Sequence, residues 1–357
     1  MEIFTTSSTA ISGNQPNQQG TFLDDVIQVL HLVFGILGLL GNGLVLVVIA
    51  RVRSLRTITN LFIAVQSVID FLTAVCLLLS MYNRPVYVFS DWEVNIWTLF
   101  VCHFWQSDYV FWSLMGTSTA NLIVLTLERW IAVVFPIIYR NRVTWKRASA
   151  FVVLPWVWGF VCQLYQPILY HFENGVCFLR FPVGLRRNIL GCFVFFVKLV
   201  LPVLIMSVAY ISILHRIKPQ LLKVGVTTRR TQSTGMTTDC TDSTRTNCVV
   251  TDPALAPSSA AGTSMVRGSF RPIHQKDRVR LNILKTLFLV TIVFFVCWAP
   301  AMVQFMILNL GGSVHPRGTI YRLLANLVFV NIWINPVIYA FKYRKFQEGL
   351  KKTICIK

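Results

Sequence analysis

Acidic residues are scarce in this chain. There are 14 Asp and Glu against 33 Lys and Arg, and charged residues of both signs make up only 13% of 357 residues. Soluble domains carry about 25%, so the composition excludes an ordinary water-soluble enzyme and a disordered protein. No repeat of 20–50 residues is visible, which excludes a solenoid. The histidines at 31, 103, 171, 215, 274 and 315 are scattered, so no metal-dependent enzyme is expected. No zinc-finger spacing, aromatic RNA-binding box or basic zipper accompanies the net charge of +19, so nucleic acid is not an expected partner. The first 25 residues have no apolar core of a signal peptide and no N-x-S/T sequon. Neither cleavage nor N-glycosylation is expected there.

What the chain has is long apolar blocks, with 55% hydrophobic residues and a mean hydropathy of +0.61. A spanning helix needs about 20 mostly apolar residues. Seven segments qualify, at roughly 26–50, 58–81, 97–130, 148–169, 188–214, 286–310 and 323–341. They do not alternate as barrel strands would, and helices satisfy their own backbone groups in lipid. The fold class is therefore an all-α membrane protein, a seven-transmembrane helix bundle, with a short cytoplasmic amphipathic helix after it. The segments divide as a tail over 1–25, the bundle over 26–341 and an amphipathic helix and tail over 342–357.

Loop charges set the orientation. Arg51, Arg53 and Arg56 follow the first span, Arg140, Arg142, Lys146 and Arg147 the third, and Lys342, Arg344, Lys345, Lys351 and Lys352 the last. These loops are read as cytoplasmic, which puts the N-terminus outside in a plasma-membrane protein. The excess positive charge then reports topology and contact with anionic membrane lipids. The connection over 218–275 is rich in Thr and Ser, lacks apolar periodicity and is read as a disordered cytoplasmic loop. Arg229 and Arg230 before Thr231 and Ser233 look like a basic-directed kinase site. Cys76, Cys162, Cys192 and Cys297 lie within spans and Cys240 and Cys248 in the cytoplasmic loop. Cys102 and Cys177 alone face the oxidising side, so a disulfide between them is expected. Cys355 follows the basic stretch 342–352 and is a candidate for palmitoylation.

Charges inside a bilayer cost at least ~2.5–3.5 kcal/mol, so those that persist need a reason. Asp70 sits in the middle of the second span, Glu128-Arg129-Trp130 closes the third, and Lys198 lies within the fifth. The sixth carries Phe294 to Pro300, including Cys297-Trp298-Ala299-Pro300, and the seventh carries Asn331 and Asn335-Pro336-Val337-Ile338-Tyr339. Gly41-Asn42, Trp156, Pro202 and Tyr210 complete the series. Together and in this order, these residues resemble the rhodopsin-like family of G-protein-coupled receptors. Glu128-Arg129-Trp130 looks like its Asp/Glu-Arg-Tyr motif with Trp in the Tyr place. Trp298 and Pro300 match its Cys-Trp-x-Pro motif, and Asn335 to Tyr339 its Asn-Pro-x-x-Tyr motif.

The resemblance implies a switch. Glu128 holds Arg129 at rest and releases it to a heterotrimeric G protein. Phe294 and Trp298 repack under ligand, Pro300 lets the inner half of the sixth helix swing out, and Tyr210 and Tyr339 hold the open state. Arrestin and receptor kinases follow as partners. An acid at the base of helix six restrains Arg129 in some relatives, and here that region reads Arg278-Val279-Arg280, so that second restraint is not matched, which leaves room for raised basal activity. Asp70, Ser118, Asn331 and Asn335 match the family's inner polar cluster, which implies an allosteric sodium ion at Asp70. Pro202, Thr119 and Phe294 match a packing trio, with Thr119 replacing the usual branched apolar residue. Cys102 stands 27 residues before Arg129, about two more than the family usually has, which predicts a shift or a bulge at the outer end of the third span.

The ligand class is narrowed by absences. The seventh span has Phe329 where a retinal-binding Lys would stand, and the third has Phe111 where an amine-binding Asp would stand. The segment from Tyr170 to Phe181 alternates about Asn174-Gly175, a two-residue hairpin signal, and peptide receptors of the family commonly carry such a hairpin. An extracellular peptide is the expected ligand, with a small lipid or organic acid as the alternative and a seven-helix transporter behind both. Lys198 needs a buried counter-charge, either a ligand carboxylate or Asp108. Gln106, Asp108, Tyr109, Trp112, Gln304, Phe305 and Tyr321 are the other candidate pocket residues, with Gln166 beside them.

Overall fold

The computed structural model describes residues 18–82, 95–173, 175–233, 275–313 and 318–354. It is helical apart from one hairpin. Helix α1 is Gln18–Arg51 and α2 is Ile58–Tyr82. Helix α3 is Tyr109–Val134, preceded by a turn at Ile96–Phe100 and a π turn at Val101–Gln106. Helix α4 runs in three pieces, Trp145–Phe151, Val153–Cys162 and Tyr165–Leu169. Strands β1 (Tyr170–Glu173) and β2 (Val176–Leu179) follow. Helix α5 is Leu185–Phe195, a π turn at Phe196–Val200, then Leu201–Ser233. Helix α6 is Gln275–Asn309. Helix α7 is Thr319–Asn326, a 3₁₀ turn at Leu327–Val330, then Asn331–Lys342, and α8 is Arg344–Ile354.

Among the described residues, seven helices are long and apolar enough to cross a membrane. Burial shows how they are arranged. The apolar window of α3 is 72% buried and that of α4 only 22%, so α3 is the central rod and α4 lies at the rim. A Cβ on Gly159 of α4 would fall 2.1 Å from Thr117 Oγ1 and 2.5 Å from the Ser113 carbonyl, so α4 can approach α3 only because that position is glycine. The exposed side chains on α1, α4 and α5 are large and apolar, among them Leu40, Val157, Val161, Leu204 and Val208, as a lipid-facing surface requires. The core runs through the middle of the bundle, with Trp298, Tyr339, Phe294 and Phe329 fully enclosed.

The expected shift or bulge takes the form of a bulge. The π turn at Val101–Gln106 ends at Ser107, and Asp108 adopts a left-handed backbone at φ +52° before α3 begins. The third span is thus interrupted rather than continuous over 97–130. The hairpin also forms as its pattern predicts. Glu173 pairs with Val176 across the two-residue turn, and Gly175 takes φ +75°, which a residue without Cβ adopts at no steric cost. The Cys102–Cys177 disulfide ties β2 to the π turn. Helix α5 runs on to Ser233, well into the stretch read as a disordered loop. The side chains of 218–233 and 275–283, and all of 1–17, 234–274 and Cys355, lie outside the described residues. The kinase site after Arg230, the Arg278-Val279-Arg280 segment and the palmitoylation candidate fall there.

Helix α8 is held by its apolar face. Tyr343 and Phe346 are buried, the Phe346 ring lies 6.4 Å from that of Tyr339, and Tyr343 donates its hydroxyl to Asn60 Oδ1 at 2.9 Å. Burial pushes the Tyr343 phenol above its usual range.

Candidate functional site

Three groups of residues sit one above another along α3. At the end away from the hairpin, Glu128 and Arg129 form an ion pair, with Arg129 Nε and Nη2 each 2.5 Å from a carboxylate oxygen. Tyr139, in the short helix Pro136–Arg142, donates its hydroxyl to Glu128 Oε1 at 2.5 Å. Thr59 of α2 reaches the same carboxylate at 3.3 Å and accepts from Arg129. Burial and the Glu128 carboxylate both push the Tyr139 phenol upward, so it stays a donor across the physiological range. The acid is therefore saturated by donors from α2, α3 and the following turn, and Arg129 is closed down onto its own helix. Near this layer, Tyr210 of α5 and Thr291 of α6 meet at 3.3 Å. Tyr339 is wholly enclosed and its hydroxyl has no hydrogen-bond partner among the described residues.

The middle layer surrounds Asp70. Ser118 donates to Oδ1 at 3.0 Å and Asn335 to Oδ2 at 2.9 Å, as the sequence placed them. Asn331 points elsewhere, to the Val328 carbonyl. Its place is taken by Gln66, one turn before Asp70, whose Nε2 lies 3.0 and 3.1 Å from the two carboxylate oxygens and 2.5 Å from Ser118 Oγ. The amide's orientation is fixed by its neighbours. Asn121 Nδ2 donates to the Phe62 carbonyl at 3.0 Å, and a backbone carbonyl can only accept. The same Nδ2 faces Gln66 at 2.9 Å, so Gln66 presents its oxygen there and its N–H groups to Asp70. A sodium ion needs oxygens turned toward it. Here three donors turn their hydrogens toward the carboxylate, so in this arrangement the residues do not fit the ion.

The upper layer is a small cavity of about 50 Å³ between α3, α4, α5 and α6, roofed by the hairpin. Of the candidates named from the sequence, Trp112, Lys198, Phe305 and Gln166 line it. The others do not. Asp108 lines a separate cleft with Cys76 and Ser80 of α2, so it does not meet Lys198. Tyr109 turns toward α4 and donates to the Phe160 carbonyl at 3.0 Å. Gln106, Gln304 and Tyr321 lie outside the lining. The π turn accounts for Gln106 and Asp108, because it rotates 101–108 relative to the helix that follows. The sequence reading missed Tyr165, from the last piece of α4, and Tyr170 and Phe181 from the hairpin.

The layers are joined by rings. The Lys198 ammonium lies 4.7 Å from the centre of the Trp112 ring. Trp112 packs edge-on to Trp298 at 6.5 Å, and Trp298 against Phe294 at 5.7 Å. Pro300 lies inside α6 and Pro336 inside α7, where each removes a backbone donor and leaves a flexible point. Thr119, in the packing trio, spends its hydroxyl on the Met115 carbonyl at 3.1 Å.

The family described as "7 transmembrane receptor (rhodopsin family)" matches residues 41–339. The chain is 26% identical to neuromedin-U receptor 1 of Homo sapiens, over 91% of this chain and 72% of that protein. It is 25% identical to galanin receptor type 2 of Mus musculus, over 91% and 74%. It is 23% identical to cholecystokinin receptor type A of Cavia porcellus, over 91% and 79%.

Proposed function

Since the chain belongs to the rhodopsin family of seven-transmembrane receptors, we propose that it binds an extracellular peptide under the hairpin and activates a heterotrimeric G protein at the opposite end. The observation that carries this reading is the vertical stack along α3. An aromatic cavity stands at one end, a closed Glu128–Arg129 pair at the other, and the Trp112, Trp298 and Phe294 rings lie in between. A ligand that favours a different packing of these rings biases a two-state element. The matched relatives named for neuromedin U, galanin and cholecystokinin support a peptide as the ligand. The N-terminus faces outward at the plasma membrane, and Glu128–Arg129 meets the G protein, and later arrestin and receptor kinases, on the cytoplasmic side. Anionic inner-leaflet lipids contact the basic residues of α8.

The test is a screen of a peptide library on cells expressing the chain, read through several G-protein biosensors. Ligand-dependent guanine-nucleotide exchange supports the receptor reading. Substrate flux without a G protein supports a transporter, and activation by lipids or organic acids alone sinks the peptide.

A further inference from the structure

The cavity under the hairpin is lined by one cation and no acid. Lys198 is the only formally charged residue among those that line it, and among the described residues it forms no ion pair and no hydrogen bond. Its surroundings are aromatic: the Trp112 face at 4.7 Å and the Tyr165 ring at 6.0 Å. A ring face under an ammonium contributes roughly 0.5–2 kcal/mol. It holds the cation on one side and leaves N–H donors toward the cavity. The backbone adds a second observation. Lys198 stands at the centre of the π turn Phe196–Val200, and such one-turn insertions in a helix recur at functional sites. A third is Gln166, which also lines the cavity and whose Oε1 has no partner among the described residues.

We propose that the ligand carries a carboxylate beside an aromatic ring, and that this carboxylate pairs with Lys198 over the face of Trp112. The ring of the ligand packs among Trp112, Tyr165 and Phe305, and Gln166 Oε1 accepts an N–H from the ligand. The inference rests on the receptor reading only in taking this cavity as the ligand site. Two sources supply the same chemistry in a peptide: its C-terminal carboxylate or an acidic side chain next to an aromatic residue.

Three probes on the purified full-length protein separate these cases, with dissociation constants taken from concentration-dependent thermal stabilisation. N-acetylphenylalanine carries the terminal carboxylate, N-acetyl-aspartyl-phenylalaninamide the side-chain one, and N-acetylphenylalaninamide neither. At least one acid is expected to bind tenfold or more tightly than the neutral amide, and which one does so identifies the source. Lys198→Met, which keeps the length and apolar stem, is expected to abolish that preference. Equal binding of all three probes by the unsubstituted protein, binding of none, or a preference that survives Lys198→Met overturns the proposal. Should Lys198→Met fail to fold, the comparison of acid with amide on the unsubstituted protein still decides. Acid preference without activation by any peptide sinks the peptide reading alone, and peptide activation without acid preference sinks this inference alone.

Discussion

Glu128→Gln tests the lock at the Glu128–Arg129 layer, because it keeps the shape of the side chain and removes the charge. Three donors converge on the carboxylate: Arg129 at 2.5 Å, Tyr139 at 2.5 Å and Thr59 at 3.3 Å. A hydrogen bond to a charged group contributes about 1.5–3 kcal/mol and a neutral one about 0.5–1.5 kcal/mol. Each close donor therefore loses about 1 kcal/mol, and the long Thr59 contact less. The closed state loses about 2–3 kcal/mol, since the open state does not use the pair. At about 1.4 kcal/mol per tenfold, that shifts the equilibrium on the order of 30- to 150-fold. A receptor with about 1% of its molecules open would move to between roughly a quarter and a half or more. The assay is ligand-free nucleotide exchange by a G protein in membranes, at matched surface expression. Tyr139→Phe is a second test of the same lock, because it removes a hydrogen bond to a charged acceptor, about 1.5–3 kcal/mol, and should shift the equilibrium on the order of tenfold or more. Basal exchange by Glu128→Gln within twofold of the unsubstituted chain would refute the reasoning.

Other substitutions probe the remaining layers. Arg129→Ala should abolish ligand-stimulated nucleotide exchange and leave ligand binding at the cell surface within about threefold, since Arg129 lies away from the cavity; exchange at the unsubstituted level would count against its role. Gly159→Ala places a methyl group 2.1 Å from Thr117 Oγ1 and should cut surface expression severely by forcing α4 off α3, whereas normal expression would show that the helices can part without cost. Basal exchange should be the same in sodium and choline chloride for the unsubstituted chain, because Gln66 already caps Asp70. Gln66→Leu removes that donor and should create a sodium dependence of threefold or more; a sodium effect in the unsubstituted chain that Gln66→Leu does not enlarge would remove the argument.

The helices were legible because lipid imposes a length and a composition that no other solvent asks for. The hairpin was legible because Asn174-Gly175 sits between alternating arms, and the disulfide because Cys102 and Cys177 alone fall in the segments read as outside. The outer end of the third span was half legible. Its extra spacing before Arg129 predicted a shift or a bulge, but hydropathy cannot place a π turn, since every residue from Val101 to Gln106 would also fit an α-helix. That uncertainty in register cost the assignments of Gln106 and Asp108. Gln66 was missed although a signal existed: it stands four residues before Asp70 inside an apolar span, so the two share a helix face. A buried amide beside a buried acid is a pair to be read together. The assignment of Asn331 failed for a related reason, because the 3₁₀ turn at Leu327–Val330 alters the direction of its side chain.

Where the charge sits decides whether the ligand can work the switch. To move a two-state equilibrium from 1:99 to 99:1, a ligand must favour the second state by about 5.5 kcal/mol. Contacts with the hairpin roof should give affinity to both states alike, because the disulfide fixes that roof to the π turn before α3. A group that touches Lys198 differs. The ammonium rests on Trp112, and Trp112 rests on Trp298, so an anion that draws the ammonium changes the packing of the ring that α6 leans against. Affinity and efficacy should therefore separate along the ligand: residues at the roof set how tightly it binds, and the group that reaches the floor sets how far the equilibrium moves. A ligand shortened at its roof end should lose potency and keep its maximal response. The same ligand with its floor carboxylate amidated should lose maximal response as well, and equal loss of potency alone from both changes would show that Lys198 supplies affinity without coupling.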